Sequence, residues 1–172
     1  DTGGLVLNNN ATNVYTQLAG WIEGNPNLRT NSEAKLIINE VVSNNPSLLK
    51  GFIEVGGKKA DVIVANPNGI TLNGAGFINT YKATITTGNP NIQNGALNSF
   101  DVRGGHIDID GDGLNGSNVN KAELYAQTLK LNAKIYAQNL DIVTGKNSIS
   151  TDGTIKNIEN INDEKPILAL DS

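Results

Sequence analysis

From about residue 52 onward, apolar and polar residues alternate in short runs, each cut off by Gly or Asn before a helix could form. Phe52-Ile53-Glu54-Val55, Ala60-Asp61-Val62-Ile63-Val64, Ile70-Thr71-Leu72 and Ala83-Thr84-Ile85-Thr86 have this period. His106-Ile107-Asp108-Ile109, Thr128-Leu129-Lys130-Leu131, Ile135-Tyr136-Ala137 and Leu140-Asp141-Ile142-Val143 continue it. Two-residue alternation over so few residues is the period of half-buried strands, so the chain is expected to be all-β. Residues 32–41 are the one helical candidate, although the β-branched run that ends them suits a strand as well.

Strands this short cannot bury themselves singly, and an internal repeat suggests how they are combined. Leu124-Tyr125-Ala126-Gln127-Thr128-Leu129-Lys130-Leu131 aligns with Ile135-Tyr136-Ala137-Gln138-Asn139-Leu140-Asp141-Ile142, eleven residues on. Repeated strand–turn units point to a solenoid whose core forms only when neighbouring units stack. Asn supplies about one residue in six. It tolerates the left-handed turn conformation, and its amide bonds to the backbone or to an Asn in the next coil. A parallel β-helix uses Asn in both ways.

Length and charge remove several functions. The 172 residues fit one domain, 1–172, that could bury roughly 68–70% of its chain surface. A net charge of −4, an isoelectric point near 4.9 and the lack of any Lys/Arg run argue against a nucleic-acid partner. No stretch approaches the roughly 18 apolar residues of a membrane-spanning helix. Without Cys there are no disulfides, thiolate metal sites or thiol nucleophiles. Asp1-Thr2-Gly3-Gly4 lacks the charged and apolar regions of a signal peptide, so a mature or trimmed chain is expected.

Four of the five prolines follow Asn: Asn25-Pro26, Asn45-Pro46, Asn66-Pro67 and Asn89-Pro90. Pro presets the dihedral of the second turn position, and the preceding Asn closes the bend. Asn66-Pro67-Asn68-Gly69 fills a type I turn, with Asn first, Pro second and Gly fourth. The strand over Ala60 to Ala65 is expected to enter this turn and Ile70-Thr71-Leu72 to leave it.

The stretch from Gly51 through Thr71, continuing over Gly76-Phe77-Ile78-Asn79-Thr80, resembles the secretion domain of two-partner secretion (TPS) exoproteins. These are the filamentous haemagglutinins, large haemolysins and contact-dependent inhibition proteins. Both short signatures of the family are present, Asn25-Pro26-Asn27-Leu28 and Asn66-Pro67-Asn68-Gly69-Ile70. Asn39-Glu40-Val41, Asn45-Pro46-Ser47, Thr86-Thr87-Gly88-Asn89-Pro90, Lys121-Ala122-Glu123-Leu124-Tyr125-Ala126 and Asn132-Ala133-Lys134-Ile135-Tyr136-Ala137 match in the family's order.

The resemblance implies a right-handed parallel β-helix with short extra-helical strands or hairpins, at the N-terminus of a much larger exported protein. Its implied partner is a TpsB-type outer-membrane transporter, which recognises the domain through periplasmic POTRA domains and starts ATP-independent translocation. The implied location is the medium or the cell surface of a Gram-negative bacterium, reached through the periplasm. No cofactor, metal, small-molecule substrate or enzymatic activity is expected, and the domain is expected to be monomeric. Many relatives carry a Cys pair after the second signature where this chain has Leu72 and Ala75, so no redox role carries over. Family domains usually begin well upstream of the first signature, so a capping piece before residue 1 is expected. The signature residues either touch the transporter or serve as corners of the fold, and both readings stay open here.

Competing sites are weaker. Asp108-Ile109-Asp110-Gly111-Asp112-Gly113 imitates the start of a calcium loop, but its twelfth position is Val119 rather than a bidentate Glu. A strand ending in a Gly-rich turn is the better reading. His106 is the sole histidine and has no nucleophile elbow nearby. Asp101, Asp108, Asp110 and Asp112 could line a carbohydrate-active cleft, though alternating strands place such groups in solvent. Trp21 is expected in the core or a cap rather than as a sugar platform. The rival functions are an adhesin or ligand-binding β-helix that contacts cell-surface receptors directly, and a carbohydrate-active β-helix.

Overall fold

The structure, a computed structural model, describes residues 3–158 and 168–170. Asp1 and Thr2, part of the segment read for a signal peptide, lie outside the described residues.

Short strands pass in turn along three faces and then start again one level up. In the first coil β1 (Leu5–Asn9) is followed by a hairpin, β2 (Val14–Thr16) and β3 (Gly20–Ile22), and then by β4 (Leu36–Glu40) and β5 (Ser47–Leu49). The second coil runs uninterrupted through β6 (Phe52–Gly57), β7 (Ala60–Ala65) and β8 (Ile70–Leu72). The third holds β9 (Ala75–Ile78) and β10 (Thr80–Thr86), leaves the helix as β11 (Asn89–Gln93) and β12 (Ala96–Asp101), and returns as β13 (His106–Ile109). The fourth is β14 (Leu114–Gly116), β15 (Lys121–Ala126) and β16 (Thr128–Leu131). In the fifth, β17 (Ile135–Ala137) and β18 (Leu140–Thr144) precede a third excursion, β19 (Asn147–Ser150) and β20 (Ile155–Asn157), and then β21 (Leu168–Leu170).

These strands form three parallel five-stranded sheets. The first face is β1-β6-β9-β14-β17, the second β4-β7-β10-β15-β18 and the third β5-β8-β13-β16-β21. The molecule is a right-handed parallel β-helix, the hand that parallel crossovers of L-residues adopt. Parallel register stacks like on like. Val64, Ile85 and Leu124 form a ladder inside the second face, and Ile70, Ile107 and Leu129 another inside the third. Leu5, Ile53 and Phe77 do the same on the first, and these ladders meet in one core. Backbone pairing with the coils above and below satisfies every inner strand, so a strand of three residues is viable here and nowhere alone.

Three excursions cover two of the outer faces. The β2–β3 hairpin lies against the first face, where Thr16 and Ile22 approach Val6 around Gly56. The antiparallel sheet β11-β12-β19-β20 covers the second face and buries a second apolar cluster of Ile63, Ala65, Phe100, Val102, Tyr125 and Ile149.

Two expectations are corrected, and the repeat gains a place in the fold. Residues 32–41 form no helix: Arg29 to Ser32 make a turn, with Asn31 at φ 64° and the Ser32 hydroxyl bonded to the Arg29 carbonyl. Leu36–Glu40 is the strand β4, because its β-branched side chains find a pairing partner in β7. The eleven-residue repeat is a strand–turn unit set at two successive corners of the helix. Tyr125 ends a second-face strand and Tyr136 lies on the first face, while the residue that stacks on Leu124 is Ile142. Trp21 is neither core nor buried cap. It is 74% exposed on the outer side of the β2–β3 hairpin, edge-to-face with Tyr15 at 5.9 Å.

Candidate recognition site

The two signatures fold into the same device at different corners. In each, the residue after the second Asn closes a turn onto the first: Leu28 N–H donates to the Asn25 carbonyl at 3.1 Å, and Gly69 N–H to the Asn66 carbonyl at 3.2 Å. In each, the first Asn side chain accepts from the backbone two residues on, Asn27 N–H to Asn25 Oδ1 at 3.0 Å and Asn68 N–H to Asn66 Oδ1 at 2.9 Å. The amide nitrogen of that side chain then reaches across to another segment. Asn25 Nδ2 donates to the Asn8 carbonyl at 3.2 Å; Asn66 Nδ2 donates to the Asn45 carbonyl at 2.9 Å and to Ser47 Oγ at 2.8 Å. One Asn thus closes its own turn and ties it to a neighbour, which explains why Asn and not Asp stands there: the second task needs a donor.

Exposure divides the signatures. Asn66 is fully buried, Gly69 and Ile70 are buried, and Asn25 and Leu28 are half-buried. Pro26, Asn27, Pro67 and Asn68 are exposed at the tips. Asn68 still donates to the Ser43 carbonyl at 2.6 Å, whereas the structure assigns Pro26, Asn27 and Pro67 side chains no hydrogen bond among the described residues. Gly69 has φ 111°, a conformation that L side chains rarely adopt, so Gly69→Val strains the corner itself and cannot separate recognition from folding. The structure does not bring the two tips together on one strand or turn: the first follows the β2–β3 hairpin, the second joins β7 to β8.

Sequence reasoning missed the buried polar groups that hold the excursions. Glu54 points out of the first face between the buried Ile53 and Val55. Its two oxygens accept from the backbone N–H groups of Gln17 and Leu18, both at 2.8 Å, and so fasten the hairpin. Asn9, also buried, accepts from Ala34 N–H and donates to the Ala34 and Lys58 carbonyls, fixing the corner before β4.

On the second face Glu123 is buried beneath the antiparallel sheet. Thr84 Oγ1 donates to one of its oxygens at 2.8 Å and Tyr125 Oη to the other at 2.6 Å. Lys82 and Lys121 lie 3.8 and 3.7 Å from it, and Lys121 also pairs with Asp141 at 2.6 Å. Burial first, and then the Glu123 hydrogen bond, hold the Tyr125 phenol well above its ordinary value. The hydrogen bond to Asp141 raises Lys121.

The acidic residues weighed as rival sites fall on different elements. Asp110 and Gly113 form a turn closed by a 2.9 Å backbone bond, and Asp110 Oδ1 accepts from Asn132 of the next coil. Asp101 belongs to the antiparallel sheet, Asp108 to the third face. Among the described residues no three His, Cys, Asp or Glu side chains gather as a metal site, and no helix is long and apolar enough to cross a membrane.

Comparison with known proteins gives a consistent picture. Residues 1–171 match the family model described as the TPS secretion domain. The chain is 43% identical over 169 residues to a protein named tRNA nuclease CdiA-2 from Burkholderia pseudomallei, covering 98% of this chain and 5% of that protein. It is 47% identical over 154 residues to the 16S rRNA endonuclease CdiA of Enterobacter cloacae subsp. cloacae, covering 88% of this chain and 5% of that protein. The crystal structure of a filamentous hemagglutinin secretion domain superposes with a TM-score of 0.86 at 29% identity, over 96% of this chain and 59% of that one. The nuclease names describe proteins of which this chain spans about one twentieth.

Proposed function

The chain belongs to the TPS secretion domain family, a transport family and not an enzyme family, and from that premise we propose how its surface is used in export. Residues 1–172 act as one monomeric secretion domain of a longer exoprotein of a Gram-negative bacterium. In the periplasm the POTRA domains of a TpsB-type transporter engage the exposed tips Pro26, Asn27, Pro67 and Asn68, while Asn25, Leu28, Asn66, Gly69 and Ile70 hold those tips in shape. The observation that carries this division is that both signatures share one hydrogen-bond scheme, which holds the first Asn and the fourth residue inside and leaves the same two central positions exposed.

Export without ATP draws on binding and folding. Each coil that forms outside the membrane buries a further layer of the ladders, which biases motion outward. Leu140, Ile142, Leu168 and Leu170 of the fifth coil stand in the ladders yet are 38–68% exposed, so they offer apolar surface to any coil stacked on them.

The test is export of the natural exoprotein from cells with and without the transporter, comparing medium with periplasm. Native protein should reach the medium only with the transporter. Pro26→Ala with Asn27→Ala, and separately Pro67→Ala with Asn68→Ala, should fold by circular dichroism and stay in the periplasm. Export of both folded variants at the native level would make the tips mere corners; export without the transporter would overturn the route.

A further inference from the structure

The chain contains four Asn-Gly steps: Asn68-Gly69, Asn73-Gly74, Asn94-Gly95 and Asn115-Gly116. We propose that Asn94 is a site of spontaneous modification, where water converts the side-chain amide to aspartate and isoaspartate while the other three steps stay intact.

The reaction is intramolecular. The Gly95 backbone nitrogen gives its proton to solvent and bonds to Asn94 Cγ, the Cγ–Nδ2 bond breaks, and ammonia leaves with a proton taken from solvent. A five-membered succinimide remains, and one water opens it at either of its carbonyls. The balance is one water consumed and one ammonia released, with nothing oxidised or reduced. Such ring closure needs a free backbone nitrogen, a side-chain amide not held elsewhere, and a backbone able to bend into the ring. Glycine after the Asn supplies that last freedom, since it has no side chain in the way.

The tip of the β11–β12 hairpin meets all three needs. Gln93 pairs with Ala96, so Asn94 and Gly95 are the whole loop, and their φ values of 51° and 74° make it a type I′ turn. The bond that closes such a turn joins the flanking residues, which leaves the N–H of Gly95 unused. Neither that N–H nor the Asn94 side chain makes a hydrogen bond among the described residues. Both residues are exposed, and apart from the chain neighbours nothing lies within 4 Å of where a Gly95 Cβ would stand. The strand β11 is an edge that pairs only with β12, so the tip opens without disturbing the β-helix.

Each of the other steps fails a requirement. Gly69 N–H donates to the Asn66 carbonyl at 3.2 Å, and Asn68 Nδ2 to the Ser43 carbonyl at 2.6 Å. Gly74 N–H donates to the Gly113 carbonyl at 2.9 Å, and Asn73 Oδ1 accepts from Asp112 N–H at 3.1 Å. Asn115 Oδ1 accepts from both the N–H and the hydroxyl of Ser117, and Gly116 is buried in β14. Asp152-Gly153, whose aspartate closes the same ring by losing water, sits at the equally exposed β19–β20 tip. There the Gly153 N–H is held by the Ser150 carbonyl at 3.0 Å.

The product adds a carboxylate to a chain whose net charge is already −4. In the isoaspartate branch the main chain gains a carbon within a loop that fits two residues. The strand β11 then loses its register with β12, whereas β12 keeps its pairing with β19. None of the signature residues belongs to this hairpin, so the modification stands independently of the export reading.

The test incubates the 172-residue chain in mildly alkaline buffer, native and in urea, and follows it by peptide mass spectrometry. Fragmentation separates Asn94 from its neighbours Asn91 and Asn98. In the native chain Asn94 should convert about tenfold or more ahead of Asn68, Asn73 and Asn115. The protected steps react only through local opening, and even a cheap opening slows a reaction by about that factor. In urea the four rates should converge. Asn94→Gly keeps the type I′ turn, which Gly-Gly also favours, and should remove the early release of ammonia. Equal rates at the four steps in the native chain, another Asn-Gly step ahead of Asn94, or an intact native Asn94 once the urea sample has reacted would each overturn the site. Undiminished ammonia release from folded Asn94→Gly would do the same. Should that variant fail to fold, the site-resolved rates of the native chain decide alone.

Discussion

The side-chain amide of Asn66 makes four hydrogen bonds from a buried site, two accepted from Asn68 and two donated. Removing it strands the Asn45 carbonyl, the Ser47 hydroxyl and the Asn68 N–H together. Asn66→Ala should therefore cost about 2–3 kcal/mol in urea unfolding, the penalty of leaving buried polar groups unpaired. Asn25, half-buried and with one cross-segment bond, should cost about 1 kcal/mol on the same change. This asymmetry matters for any export assay, since Asn66→Ala would lower export through misfolding. Local turn chemistry was legible in the residues: the Asn-Pro-Asn-Gly order demanded a turn, and a turn with the expected closing bond is present. What the residues did not reveal is that Asn66 is inside, because its depth depends on Asn45 and Ser47 of another coil.

At the scale of elements, alternation specified which side of a strand a residue faces but not what lies over that side. Glu54 and Glu123 occupy outward positions that read as solvent-facing, yet each is buried under an excursion. Glu54→Ala should release the β2–β3 hairpin at a cost of about 2 kcal/mol, the worth of charge-assisted bonds to two backbone donors. Amide exchange at Gln17 and Leu18 should speed up well before that of the ladders, and Trp21 fluorescence should report this local opening. Tyr125 makes the covering sheet sensitive to alkali. Its phenol, raised in the folded state, keeps a proton that an unfolded tyrosine loses near pH 10. The folding free energy from this group is complete below that pH and declines as the pH rises past it. Tyr125→Phe should thus flatten the fall of the urea midpoint between about pH 10 and 11, while lowering stability near neutrality by the lost bond to Glu123.

For the whole molecule, stability is a sum over stacked coils and their interfaces along the one core that the ladders share. Leu129 sits in the third-face ladder under Ile107 and beside the other two faces, fully buried. Leu129→Ala should cost about 2–5 kcal/mol by calorimetry or urea titration. The exposed Leu140 and Leu168 of the fifth coil should cost well under half of that, since truncation there opens no cavity.

The sequence by itself determined the strand period, the turn chemistry of the Asn-Pro corners and, through its motif order, the family and the β-helix. These are local quantities: a period of two, a fixed Pro dihedral and a Gly at positive φ depend on neighbours along the chain. Only the tertiary structure decided that residues 32–41 join a sheet, that the repeated Tyr-Ala-Gln segments turn different corners, that Trp21 lies outside, and that two glutamates fasten the excursions. Each of those outcomes depends on a partner in another coil, such as β7 beside β4 or Gln17 above Glu54. A parallel coil meets its partner only after the chain has travelled around all three faces, and any hairpin inserted on the way shifts the distance along the sequence without changing the contact.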